Sequence, residues 1–200
     1  MSRVTARVSA ALAALAVSCA FGGAAVADAT EKERLKKCEV DLCTIIAEKK
    51  KDGADLSCDL SKTWAKEDIS KEAEEKKLSW GLGDAKCGLS LKVARADIVS
   101  AVSDADYTLK IPPQKIACEV EQGGTKYPIT LNLAPVVKFK SGEAQEASLG
   151  VSDIEAAAVI KGVIWTAAKM EENFGIFHQD ILKDINKFIS KKCPKTLAEK

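Results

Sequence analysis

Six cysteines (Cys38, Cys43, Cys58, Cys87, Cys118 and Cys193) follow what reads as an export leader, and they constrain this chain more than anything else in it. An even number of cysteines in an exported chain points to three disulfides, because an oxidising compartment leaves few thiols free. Zinc is the competing use of such residues. No C-x-x-C pair is present, however, and the single histidine, His178, is far from the cysteines in sequence.

The leader is residues 1–27. Arg3 and Arg7 form a positive start, Ala10 to Ala20 a short apolar stretch, and Ala25-Val26-Ala27 an A-x-A junction before Asp28. The apolar stretch is too short and too rich in alanine for a membrane span, which takes about 20 apolar residues. A second junction, Ala16-Val17-Ser18-Cys19, resembles a bacterial lipobox that would leave a lipidated Cys19, but alanine stands where leucine is usual. The A-x-A site is therefore preferred, and residues 28–200 are read as one exported globular domain, periplasmic or secreted.

Charge narrows the partners. Arg3 and Arg7 depart with the leader, so 28 basic residues face 29 acidic ones. Only Arg34 and Arg95 among the basic residues are arginine. Forked recognition of phosphates and base edges favours arginine over lysine, so nucleic acid is not an expected partner.

The middle of the chain alternates. Cys87, Leu89, Leu91 and Val93 share one face of a strand, with Lys86 and Lys92 on the other. Tyr107, Leu109 and Ile111 repeat the pattern, as do Ile116, Cys118 and Val120. Gly123-Gly124 marks a hairpin turn, after which Tyr127, Ile129, Leu131 and Leu133 point inward, with Val137 and Phe139 in the same parity. Pro128 and Pro135 make that run an edge or bulged strand. The expected fold is α+β: an antiparallel sheet of about five strands, roughly 86–151, covered by N-terminal and C-terminal helices and stapled by disulfides. Arg95 to Ser103 reads equally as a short helix or a loop.

The flanks are helical in pattern. Leu35, Cys38, Leu42, Ile45 and Ile46 form a stripe within a helix over 31–51. A short loop carrying Cys58 and a polar surface helix, from about Thr63 to Lys77 and pinned by Trp64, are expected next. Ser152-Asp153-Ile154-Glu155 has the form of a capping box opening a helix with Val163, Ile164 and Trp165. Ile181, Leu182, Ile185, Phe188 and Ile189 stripe the last helix, which Cys193-Pro194 should stop.

Parity pairs Cys87 with Cys118, since both fall on the apolar face. Cys38 and Cys43 are about 140° apart around a helix and cannot bond each other. The preferred remaining pairs are Cys43–Cys58 and Cys38–Cys193, and the alternative exchanges the partners of Cys38 and Cys43.

No reactive constellation is legible. G-x-S-x-G, H-E-x-x-H and G-x-x-x-x-G-K are all missing, and a catalytic base would have to be His178, which reads as a helix-start residue. No enzyme activity and no cofactor is expected. The leading expectation is a non-enzymatic binding protein with an apolar cleft for a lipid-like or other small apolar ligand, bordered by Trp80, Trp165, Phe174 and Phe177. The alternative is an envelope protein-interaction module or inhibitor using an exposed sheet edge or loop.

Overall fold

The computed structural model describes residues 23–75, 79–175 and 178–199. Most of the expected leader, and Phe177, lie outside them.

The first helix, α1 (Gly23–Glu48), ends where Lys49 adopts a φ of 52°. The chain then turns back into β1 (Leu56–Trp64). Arg95 closes this connection: its Nε donates to the Lys50 carbonyl at 2.8 Å, its amide donates to Asp55 Oδ1 at 2.9 Å, and its guanidinium pairs with Glu48. The expected loop and polar helix from Thr63 are thus corrected. Leu56, Cys58 and Leu60 recur at period two, and β1 pairs antiparallel with β2 (Ala85–Val93) from Leu56↔Val93 to Trp64↔Ala85. The polar helix, α2 (Lys66–Glu75), begins only after that strand and buries none of its residues.

Arg95–Ser103 is helical, α3, and it carries the chain to a second sheet. The first sheet has the order β1-β2-β4-β5-β8, with β4 at Gln114–Gln122, β5 at Thr125–Leu133 and β8 at Val151–Glu155. The second, β3-β6-β7, uses Asp106–Lys110, Val136–Lys140 and Glu143–Ser148. All pairings are antiparallel. Gly123 and Gly124 make the β4–β5 turn at φ values of 59° and 80°, a region that glycine enters without steric cost.

The two prolines act where a missing N–H is tolerated. Pairing of β5 with β8 starts at Thr130, beyond Pro128, and is irregular between Thr130 and Asn132. Pro135 sits at the crossing from one sheet to the other. The run from Tyr127 to Phe139 is therefore two strands, not one.

Ser152–Glu155 is strand β8 rather than a capping box, and α4 begins later (Ala158–Phe174). Pairing of Thr130 and Asn132 with Glu155 and Ser152 takes up this segment before the helix can start. Helix α5 (His178–Lys187) leads through a π-helical turn (Phe188–Lys192) into α6 (Cys193–Ala198). Pro194 lies in the first turn of α6, where a missing N–H is tolerated, so Cys193-Pro194 does not end the helical path.

Three disulfides hold this α+β fold: Cys87–Cys118, Cys38–Cys58 and Cys43–Cys193. Cys87 stands directly opposite Cys118 in the β2–β4 register, as parity required. The preferred pairs Cys43–Cys58 and Cys38–Cys193 are corrected to the alternative exchange. The cause is azimuthal. Cys38 belongs to the same helix stripe as Leu42 and Ile45, which packs with Leu56, Cys58 and Val93. Cys43 is turned away from that stripe and meets α6.

Candidate functional site

The functional candidate grows from one face of the five-stranded sheet. Strand parity sends Leu56, Cys58, Leu60 and Trp64 of β1 to the same side as Cys87, Leu89 and Val93 of β2. Register then aligns them across strands. Leu60 opposes Leu89, Leu89 opposes Ile116, and Ile116 opposes Leu131, giving an aliphatic row perpendicular to the strands. The next row toward β2's beginning holds the Cys87–Cys118 disulfide and Ile129.

Both ends of this face are closed, and its middle is not. At one end Leu56, Cys58 and Val93 are buried against Cys38 and Ile45 of α1 and Ile98 and Val99 of α3. At the other, Ala85, Val120 and Ile129 are buried with Leu82 and Ile160. Between them all four members of the aliphatic row are only half-buried. The space above is a cavity of about 410 Å³, walled by Leu35 of α1 and by Ile164 and Ala168 of α4. Leu133, Leu149 and Val151 line it toward β8, and Lys62 and Trp64 line it at the β1 edge. Five adjacent strands at about 4.8 Å give a trough of about 19 Å across the sheet.

A second cavity of about 490 Å³ adjoins the first and shares Leu149, Val151 and Ala168 with it. Trp165, Lys169, Gly175 and His178 line it, together with the chain from Ala147 to Gly150. The Lys169 ammonium lies 5.0 Å from the centre of the Trp165 ring. His178 opens α5, and its Nδ1 is 3.1 Å from the Ala147 carbonyl oxygen.

The aromatic residues singled out from the sequence fall in different places. Trp80 packs with Leu82 and Val120, and its indole N–H donates to the Gly83 carbonyl at 2.9 Å, away from the cavity lining. Trp165 is 49 % exposed and borders the second cavity. The Phe174 side chain and Phe177 lie outside the described residues. Trp64, read as a helix pin, is on the cleft instead. Leu60 was hidden because its segment reads as a loop; its period-two spacing from Leu56 and Cys58 was the available signal.

Charged groups hold the walls in place. Glu31 on α1 accepts from the Thr63 amide at 3.1 Å and hydroxyl at 2.9 Å, and its carboxylate lies 3.4 Å from Lys86. Burial pushes the Glu31 carboxyl up, but these partners together outweigh it and hold it below 4.5. Glu39 is similar: burial opposes ionisation, while Lys192 at 2.7 Å, Thr196 and Lys36 keep it lowered. Thus α1, one wall of the cleft, is tied to both the β1 edge and the chain's end. Among the described residues, no three His, Cys, Asp or Glu side chains gather as a metal site needs. No described helix is long and apolar enough to cross a membrane.

Compared with protein-family models, with curated proteins and with solved structures, the chain finds no match.

Proposed function

We propose that this is a non-enzymatic exported protein, periplasmic in a bacterial cell, that holds a lipid-like or other small apolar ligand on the open face of its five-stranded sheet. The observation that carries the reading is the half-buried row Leu60–Leu89–Ile116–Leu131 under a cavity of about 410 Å³. Small-molecule sites have volumes of about 300–1,000 Å³ and mostly apolar linings. Aliphatic surface left wet forgoes roughly 25 cal/mol per Å², and a bound chain recovers it.

Lys62 is the only ionisable side chain among the described residues lining that cleft, which supports binding over acid–base chemistry. The three disulfides fit an oxidising compartment, and the leader supplies the route to it. Partner binding through the β1 edge has less support, because Glu31 already accepts the Thr63 amide there.

Native mass spectrometry of protein isolated from its own compartment tests the proposal. A co-purifying aliphatic mass that organic extraction removes is the expected result. Protein that carries no such mass, and shows no thermal shift when titrated with long-chain aliphatic compounds, would overturn it.

A further inference from the structure

We propose that the ligand is an anionic amphiphile, with its aliphatic tail on the Leu60–Leu89–Ile116–Leu131 row and its acidic head group in the adjoining cavity, against Lys169 and His178. This rests on the apolar-ligand reading above and adds the charge and the orientation.

The sign of the lining is the first ground. Over both cavities together, the ionisable side chains among the described lining residues are Lys62, Lys169 and His178. All three are bases and none is a carboxylate, in a chain of 30 basic and 29 acidic residues. Glu146, the carboxylate that acts on His178 electrostatically, lies outside the lining and pairs with Lys138 at 2.6 Å.

Continuity is the second ground. The two cavities share Leu149, Val151 and Ala168, so a molecule lying along the sheet from one to the other touches both. The first offers aliphatic walls, the disulfide and Trp64 along its length, with Ser61 and Lys62 at the β1 edge. The second is lined by Ala147, Ser148, Leu149 and Gly150 and adds two bases. A polar head buried on the aliphatic row would lose its hydration without compensation, whereas the second cavity supplies donors.

The third ground is the orientation of those bases. A carbonyl oxygen only accepts, so His178 Nδ1, 3.1 Å from the Ala147 oxygen, carries the hydrogen. Nε2 is then the nitrogen left for a ligand, and it donates to an anion when the ring is protonated. Lys169 is placed by its position 5.0 Å from the Trp165 ring centre. Lys62, by contrast, is a single base on the exposed edge strand at the far end of the trough.

Carboxylate and phosphate heads share this chemistry, and the test separates them. Affinities of the disulfide-intact exported protein are measured for hexadecanoate, for a lysophosphatidate of the same chain length, and for hexadecanol. Both acids are expected to bind at least about tenfold more tightly than the alcohol. Whichever acid binds more tightly identifies the head group, and either order supports the proposal. Lys169→Gln and His178→Gln should each weaken acid binding more than alcohol binding, with melting temperatures confirming the fold. Lys62→Gln, at the other end of the cleft, should leave the preference for the acids over the alcohol in place. Alcohol binding equal to that of the acids, or a charge preference abolished by Lys62→Gln alone, overturns this inference and leaves the apolar cleft standing. Failure of all three compounds to bind overturns both.

Discussion

Leu89 of β2 and Ile116 of β4 stand directly opposite one another in adjacent antiparallel strands, at the centre of a sheet, yet neither is buried. A central cross-strand aliphatic pair ordinarily lies under a helix. Here α1 and α4 stand to either side as walls, and the pair forms the floor of a cleft.

Filling that space should separate binding from folding. Ile116→Phe adds bulk above a half-covered row, where there is room for it, so the melting temperature should stay within a few degrees of the wild type. Uptake of an aliphatic fluorescent probe should fall about tenfold or more. Unchanged uptake would place the ligand elsewhere.

The disulfides should differ in weight. Cys43–Cys193 spans 150 residues and Cys38–Cys58 spans 20. In the chain-entropy account, the longer loop constrains the unfolded chain more, by about 2 kcal/mol for this ratio of lengths. Urea denaturation of Cys43→Ala/Cys193→Ala should therefore show the larger loss when compared with Cys38→Ala/Cys58→Ala. Peptide mapping under non-reducing conditions checks the pairing itself.

Acid should loosen α1 first. Glu31 and Glu39 are both held below 4.5 by their partners. A carboxyl lowered in the folded state contributes stability that is complete above its unfolded value and is lost as pH falls through its folded value. The melting temperature of the wild type should therefore drop as pH falls below 4.5. In Glu31→Gln and Glu39→Gln the protein should start lower at neutral pH and drop less steeply. A parallel decline in wild type and variants would show that other groups govern acid sensitivity.

Asn186 docks α5 on the second sheet in the manner of a strand. Its Oδ1 accepts the Ala144 amide at 2.8 Å, and its Nδ2 donates to the Ala144 carbonyl at 3.0 Å. Because β7 is an edge strand and Ala144 is buried, Asn186→Leu leaves both peptide groups unsatisfied. The expected cost is about 1–3 kcal/mol by urea denaturation. Asn186→Asp keeps the acceptor only and should lose less than Asn186→Leu.

Local pattern carried much of the fold. Alternation in Cys87–Val93 and Ile116–Val120 exposed two strands and, through parity, one disulfide. The stripe from Leu35 to Ile46 exposed α1, and it also held the clue that Cys38 faces the sheet. Segments with weak alternation were misread. In β1, Lys62 and Thr63 interrupt the apolar repeat after Leu60, and the charged run of α2 follows closely, so the strand looked like the approach to a helix. Of the cleft, Leu35, Leu89, Ile116, Leu131 and Ile164 were recognisable as inward-facing. That they leave a space between them was not.

By itself the sequence determined the α+β class, the pairing of Cys87 with Cys118, and the faces that its clearest strands and helices turn inward, because those follow from periods of 2 and about 3.6 residues along the chain. Only the tertiary structure decided which strands are neighbours, how Cys38 and Cys43 divide their partners, and that the aliphatic row stays open. These depend on register between strands distant in sequence and on where each helix comes to rest. A residue's polarity says that it seeks cover, but not whether the fold supplies it.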